Sequence, residues 1–171
     1  MPPRCQLVRP EHIPLRAAFP VIDAHNHLWG QWDRIDEFVR ILDEVGVTQY
    51  ADLTRNLDLA FVPGGYDFAP ADIETFFDRC ERRYPGRFFG FTTATFSRPK
   101  TQPLYTDGAA FAEETVALLE QHIRRGARGL KILKELGLHY RDGAGRLIAI
   151  DDPALSPIWE AAARLEVPVL L

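Results

Sequence analysis

Apolar residues along this chain follow two alternating periods, and the alternation predicts strands and helices in turn. Val21-Ile22-Asp23-Ala24-His25-Asn26-His27 has the two-residue period of a short strand, ended by a turn at Trp29-Gly30. Ile35, Phe38, Val39, Leu42 and Val45 recur at helical spacing, with Asp33 placed to cap the helix and Gly46 to end it. Val47 to Leu53 reads as a second strand, and a long connection through Val62-Pro63-Gly64-Gly65-Tyr66 follows it. Ile73, Phe76, Phe77, Cys80 and Tyr84 form a second amphipathic stripe that Pro85-Gly86 stops. Arg87 to Ala94 predicts a third strand. Phe111, Thr115, Leu118, Leu119 and Ile123 mark a third helix that ends before Gly126, and Gly129 to Leu133 predicts a fourth strand. Ser156-Pro157 opens a fourth helix through Ile158, Trp159, Ala162 and Leu165, and Val167 to Leu171 begins a fifth strand.

Strands alternating with helices imply parallel pairing and right-handed crossovers, in a doubly wound sheet or a β/α barrel. A barrel of eight such units takes about 250 residues, so the 171 residues here correspond to its first four to five units. The expectation is an α/β fold, a partial (β/α)8 TIM-type barrel. Residues 1–20 are read as a proline-rich leader and 21–171 as the N-terminal half of the barrel, truncated at a bare hydrophobic strand.

Composition narrows the classes. A net charge of −4, with arginines spread along the chain, leaves no basic field for a phosphate backbone, so nucleic acid is not an expected partner. Cys5 and Cys80 match no CxxC spacing and read as two reduced thiols. The first twenty residues lack the apolar core of a secretory leader and no later run is long enough for a bilayer, so a cytoplasmic protein without a membrane partner is expected.

The chemistry-bearing pattern lies on the first strand. Side chains two apart point to one face, so Asp23, His25 and His27 project together while Ile22 and Ala24 turn toward surrounding helices. Paired imidazoles suit a divalent ion such as zinc, and the carboxyl end of a barrel strand is where barrel enzymes place their sites. The alternative is a pair of polar residues at a strand-to-loop transition with no ligand role. Asp23 is placed to orient a ligand histidine by accepting its second N–H. Period-two alternation turns Lys131 inward, where either a functional role or an ion pair with Asp23 would satisfy it. Trp29 is a candidate pocket wall. His139 and Lys134 fall in the connection after the fourth strand, His139 as a candidate substrate contact.

Val21 to Trp29 resembles the opening strand of the amidohydrolase superfamily, in particular the amidohydrolase-related branch that also contains decarboxylases and lactonases. Gly126-Ala127-Arg128-Gly129-Leu130-Lys131, with Asp151-Asp152-Pro153 and Pro157 to Ala162, resembles that branch's fourth strand and the helix before its fifth. The resemblance implies that His25 and His27 bind the metal and that further histidines and a catalytic aspartate follow beyond Leu171. Some members carry a carboxylated lysine on the fourth strand, which makes Lys131 a candidate catalytic residue.

The function implied is a metal-dependent hydrolase, with a divalent ion, zinc foremost, activating water against a carbonyl group of an amide, ester or lactone. A small-molecule substrate and an assembly of identical copies are expected. A metal-dependent decarboxylase of the same branch is the alternative, and a non-catalytic half-barrel that dimerises is a second. Two ligands, where catalytic zinc usually has three, predict weak metal binding and negligible turnover for this chain by itself.

Overall fold

The computed structural model describes residues 13, 15–29, 31–63 and 65–171, so Cys5, His12, Gly30, Gly64 and most of the expected leader lie outside the described residues. Strand β1 (Val21–Asn26) is followed by a 3-10 turn and helix α1 (Ile35–Val45), then by β2 (Val47–Asp52). The spacing that predicted α1 is the spacing it buries: Ile35, Val39 and Leu42 pack inward, and Gly46, at φ 85°, ends the helix in the left-handed conformation open to glycine. Asp33 does not cap it. The residue before the helix is Arg34, and Asp33 instead accepts a hydrogen bond from Arg79 at 3.2 Å.

The long connection after β2 is not a loop. It is an antiparallel hairpin of β3 (Leu57–Val62) and β4 (Gly65–Pro70), paired in register from Leu57↔Pro70 to Val62↔Gly65. Next come a short helix α2 (Ile73–Phe76), continued by one wider turn to Glu81, and strand β5 (Phe88–Gly90). Helix α3 (Gly108–Arg125) starts at Asp107, whose side chain accepts from the Ala109 and Ala110 N–H groups. Strand β6 (Leu130–Lys131), helix α4 (Ser156–Arg164) and strand β7 (Val169–Leu170) complete the order.

The expected partial barrel is not what forms. The strands make three short sheets, ordered β1-β2-β5, β3-β4 and β6-β7, and none closes on itself. The pairing within the first and third is parallel, as the strand and helix alternation demands. A single parallel bridge, Thr92↔Leu130, joins them side by side. Strands β1 and β7 each pair on one side only among the described residues. With β6 and β7 only two residues long, there are too few ladder bonds to bend the sheet into a ring, and the antiparallel hairpin interrupts the repeat. The fold is a small α/β domain with an open set of parallel strands. The edge position of β1 also reverses a second expectation: Ile22 is 53% exposed and Ala24 is exposed, because no helix among the described residues covers that end of the sheet.

Two main apolar clusters hold the layers. Helix α1 and the α2 region pack on β2 and β5 through Leu42, Tyr50, Phe76, Phe77 and Phe88. Helices α3 and α4 pack around β6 through Phe111, Leu119, Leu130, Ile132 and Ile158. Between the clusters lies a buried polar seam, in which the Asn56 carbonyl accepts from the Thr92 and Thr93 hydroxyls and the Thr93 N–H. Among the described residues no helix is long and apolar enough to cross a membrane.

His122 of α3 closes this seam. It is 6% exposed, and its Nδ1 hydrogen-bonds the Thr92 hydroxyl at 2.6 Å. Burial, aided by Arg125 and opposed by Glu74 and Asp72, pushes its pKa down to about 4. An unfolded imidazole titrates near 6.5, so the unfolded chain binds the proton more readily. The neutral ring's stabilisation is therefore complete above pH 6.5 and lost as pH falls from there toward 4. Urea titrations at pH 7.5 and 4.5 are expected to show wild type losing roughly 2 kcal/mol more than His122→Asn across that interval. Equal losses would show that His122 is not the group responsible.

Candidate functional site

The carboxyl ends of β1, β2 and β6 bring the candidate residues together. His25, on the exposed edge strand, and His27, half-buried just beyond it, have ring centroids 5.9 Å apart with planes at 83°. Both line a cavity of about 450 Å³, together with Trp29 and Lys131. The hairpin forms a second wall through Leu59, Tyr66 and Phe68, and the turn after β6 adds Lys134 and Glu135. The chain separation of these segments shows why no local motif could reveal the cavity.

Each side chain has an identifiable anchor. Trp29 adopts φ 42°, a left-handed conformation that costs a bulky residue roughly 1–2 kcal/mol, and its ring stacks on His27 with centroids 4.5 Å apart and planes at 22°. His27 Nδ1 forms a 3.0 Å hydrogen bond with the Thr54 hydroxyl. The Thr54 N–H in turn donates to Asp52 Oδ1 at 3.1 Å. The fixed Nδ1 leaves Nε2 as the ring atom to meet a ligand. Burial lowers the His27 pKa, with Asp52 working in the opposite sense and His25 and Lys131 adding to the depression, so its neutral form is favoured.

Asp23 faces elsewhere. Its carboxylate accepts from the His25 backbone N–H at 3.3 Å and from the Asn26 side chain at 2.9 Å. The hydroxyl of Thr54 therefore occupies the ring-orienting position considered for Asp23 from sequence, and Lys131 forms no ion pair among the described residues. Lys131 is 5% exposed, and burial lowers its pKa. His139 lies apart, in a neighbouring cavity of about 300 Å³ that also reaches Lys134, Glu135 and Lys100.

Thr54, Asp52, Tyr66 and Glu135 were not anticipated from the sequence. The position of Asp52 and Thr54 at the end of a predicted strand was the available signal, since parallel strands deliver their carboxyl ends to one side of a sheet. Tyr66 and Glu135 carried none, because the hairpin brings Tyr66 to Glu135 across 69 positions, its hydroxyl donating to Glu135 Oε1 at 3.3 Å.

The two imidazoles fit a metal ion in number of free nitrogens and nearly in spacing. Ring centroids on one tetrahedral zinc stand about 5 Å apart for metal–nitrogen bonds of roughly 2.0–2.1 Å, against the observed 5.9 Å. Among the described residues no third His, Cys, Asp or Glu joins them to form a metal-holding group. The chain matches no protein-family model, no curated protein and no solved structure.

Proposed function

We propose that this chain carries part of a metal-dependent hydrolase site of the amidohydrolase type, in which His25 and His27 hold a divalent ion, zinc foremost. The observation that supports it is the convergence of both rings on one cavity, with Thr54 tying down Nδ1 of His27. When bound, the ion would supply Lewis acidity, lowering the pKa of water and polarising the carbonyl of an amide, ester or lactone. The residues of the chain do the rest. His27 is kept neutral by burial and so presents a lone pair. Trp29 restricts its ring by stacking, and the aromatic hairpin residues exclude water from one side of the cavity.

The test is calorimetric titration of chelator-treated protein with zinc, alongside the His25→Ala/His27→Ala double variant. Wild type is expected to take up one ion per chain, weakly, and the double variant none. Both rings are exposed or half-exposed, so the variant should keep its circular dichroism spectrum. Zinc-dependent hydrolysis of an aryl ester is expected to be negligible beside an enzyme's rate but absent from the double variant, because two protein ligands leave the ion less constrained than three. Identical zinc uptake by the two proteins would overturn the proposal.

A further inference from the structure

We infer that the cavity beside His25 and His27 binds a small molecule with a flat apolar body and a single anionic group, and that Lys131 is the residue that meets the anion. The inference shares the cavity of the hydrolase reading and rests on it for calling the ligand a substrate, but the binding itself needs no metal.

The argument starts from charge. Lys131 sits at the end of β6 with 5% of its surface exposed, lines the cavity, and has no hydrogen-bond or ion-pair partner for its ammonium among the described residues. A buried charge is costly unless it is paired. Lys134, exposed on the next turn, adds a second ammonium to the same wall. The sole side-chain carboxylate lining this wall among the described residues, Glu135, is buried and accepts from the Tyr66 hydroxyl. Cationic side chains therefore outnumber anionic ones where the ligand would lie, and an incoming anion gains a charge-assisted hydrogen bond from a lysine that is already largely withdrawn from water. The rest of the surface sets the ligand's body. Trp29, stacked on His27, and Tyr66 and Phe68, 5.7 Å apart on the hairpin, line the cavity with aromatic surface suited to a planar apolar group. A volume of about 450 Å³ holds a small molecule and not a polymer.

Calorimetry on protein held in chelator tests this with three probes at fixed ionic strength: benzoate, its neutral isostere benzamide, and acetate. Benzoate is expected to bind saturably, and benzamide and acetate at least about tenfold more weakly. Lys131→Met should weaken benzoate by about tenfold or more, while Lys131→Arg, which keeps the charge, should restore much of it. Should Lys131→Met not fold, the comparison of benzoate with benzamide on the unaltered protein decides. Equal binding of benzoate and benzamide, or benzoate binding untouched in a folded Lys131→Met, would overturn the inference. The two readings fail separately. Zinc uptake that depends on His25 and His27, with no benzoate binding, removes the anion site alone. Lys131-dependent benzoate binding without zinc uptake removes the metal alone.

Discussion

Asp52→Ala is expected to destabilise the protein by about 3–5 kcal/mol, the cost of removing one partner from a buried ion pair. Asp52 and Arg55 are both fully buried, with Arg55 Nε 3.7 Å from Asp52 Oδ2. Burial has already pushed the Arg55 pKa down to about 10, with Asp52 the largest opposing influence. Deleting the carboxylate takes from the guanidinium, which lies over the Phe76 ring, the opposite charge 3.7 Å away. The same substitution reaches the site. Asp52 holds the Thr54 N–H, and Thr54 holds the His27 ring, so the loop that aims His27 loses its fixed point. Asp52→Asn keeps the volume and an acceptor while losing the charge, and should fall between wild type and Asp52→Ala. Urea unfolding gives the stabilities. An Asp52→Ala protein as stable as wild type would show that Arg55 draws its compensation from elsewhere.

Gly129→Ala is the second large effect, about 3 kcal/mol of destabilisation from overpacking. Gly129 stands where the sheet of β5 meets that of β6 and β7, its carbonyl accepting from the Thr92 N–H at 3.0 Å. A Cβ there would overlap the Phe91 ring and lie 2.7 Å from the Pro168 carbonyl oxygen. That oxygen accepts the Leu130 N–H at 3.0 Å. The added methyl must therefore push Phe91 out of the small cluster it forms with Ala51 and Leu53, or stretch the junction between the sheets. A lowered urea midpoint with an unchanged slope is the expected result. An unchanged midpoint would mean that the junction yields freely, and that the strand arrangement around Lys131 is softer than its packing implies.

The helices were legible because each carries its own evidence. Ile35, Val39 and Leu42 bury one stripe of α1, and Gly46 adopts the positive φ that ends it. Phe111, Thr115 and Leu119 do the same for α3. The strands were legible as segments but not in extent. Gly129 to Leu133 reads as five residues of strand, yet the strand that forms spans Leu130 and Lys131 alone, because a strand's length is set by its neighbours and not by its own side chains. The hairpin of β3 and β4 was missed, since Leu57 to Val62 lacks clean alternation.

The sequence by itself determined the order of elements, the helical faces, and the paired histidines on the opening strand, all properties of residues a few positions apart. The tertiary structure decided how the strands closed, or here did not, with β1 left at an edge and Ile22 and Ala24 exposed. It also chose the neighbours of the histidines. Thr54, just past the end of β2, orients His27, and Lys131 reaches the same cavity from more than a hundred positions away. Those relations depend on which strand lies beside which and how far each runs. Such long-range pairing is settled only when the chain's apolar surfaces are buried against one another, and no local period encodes it.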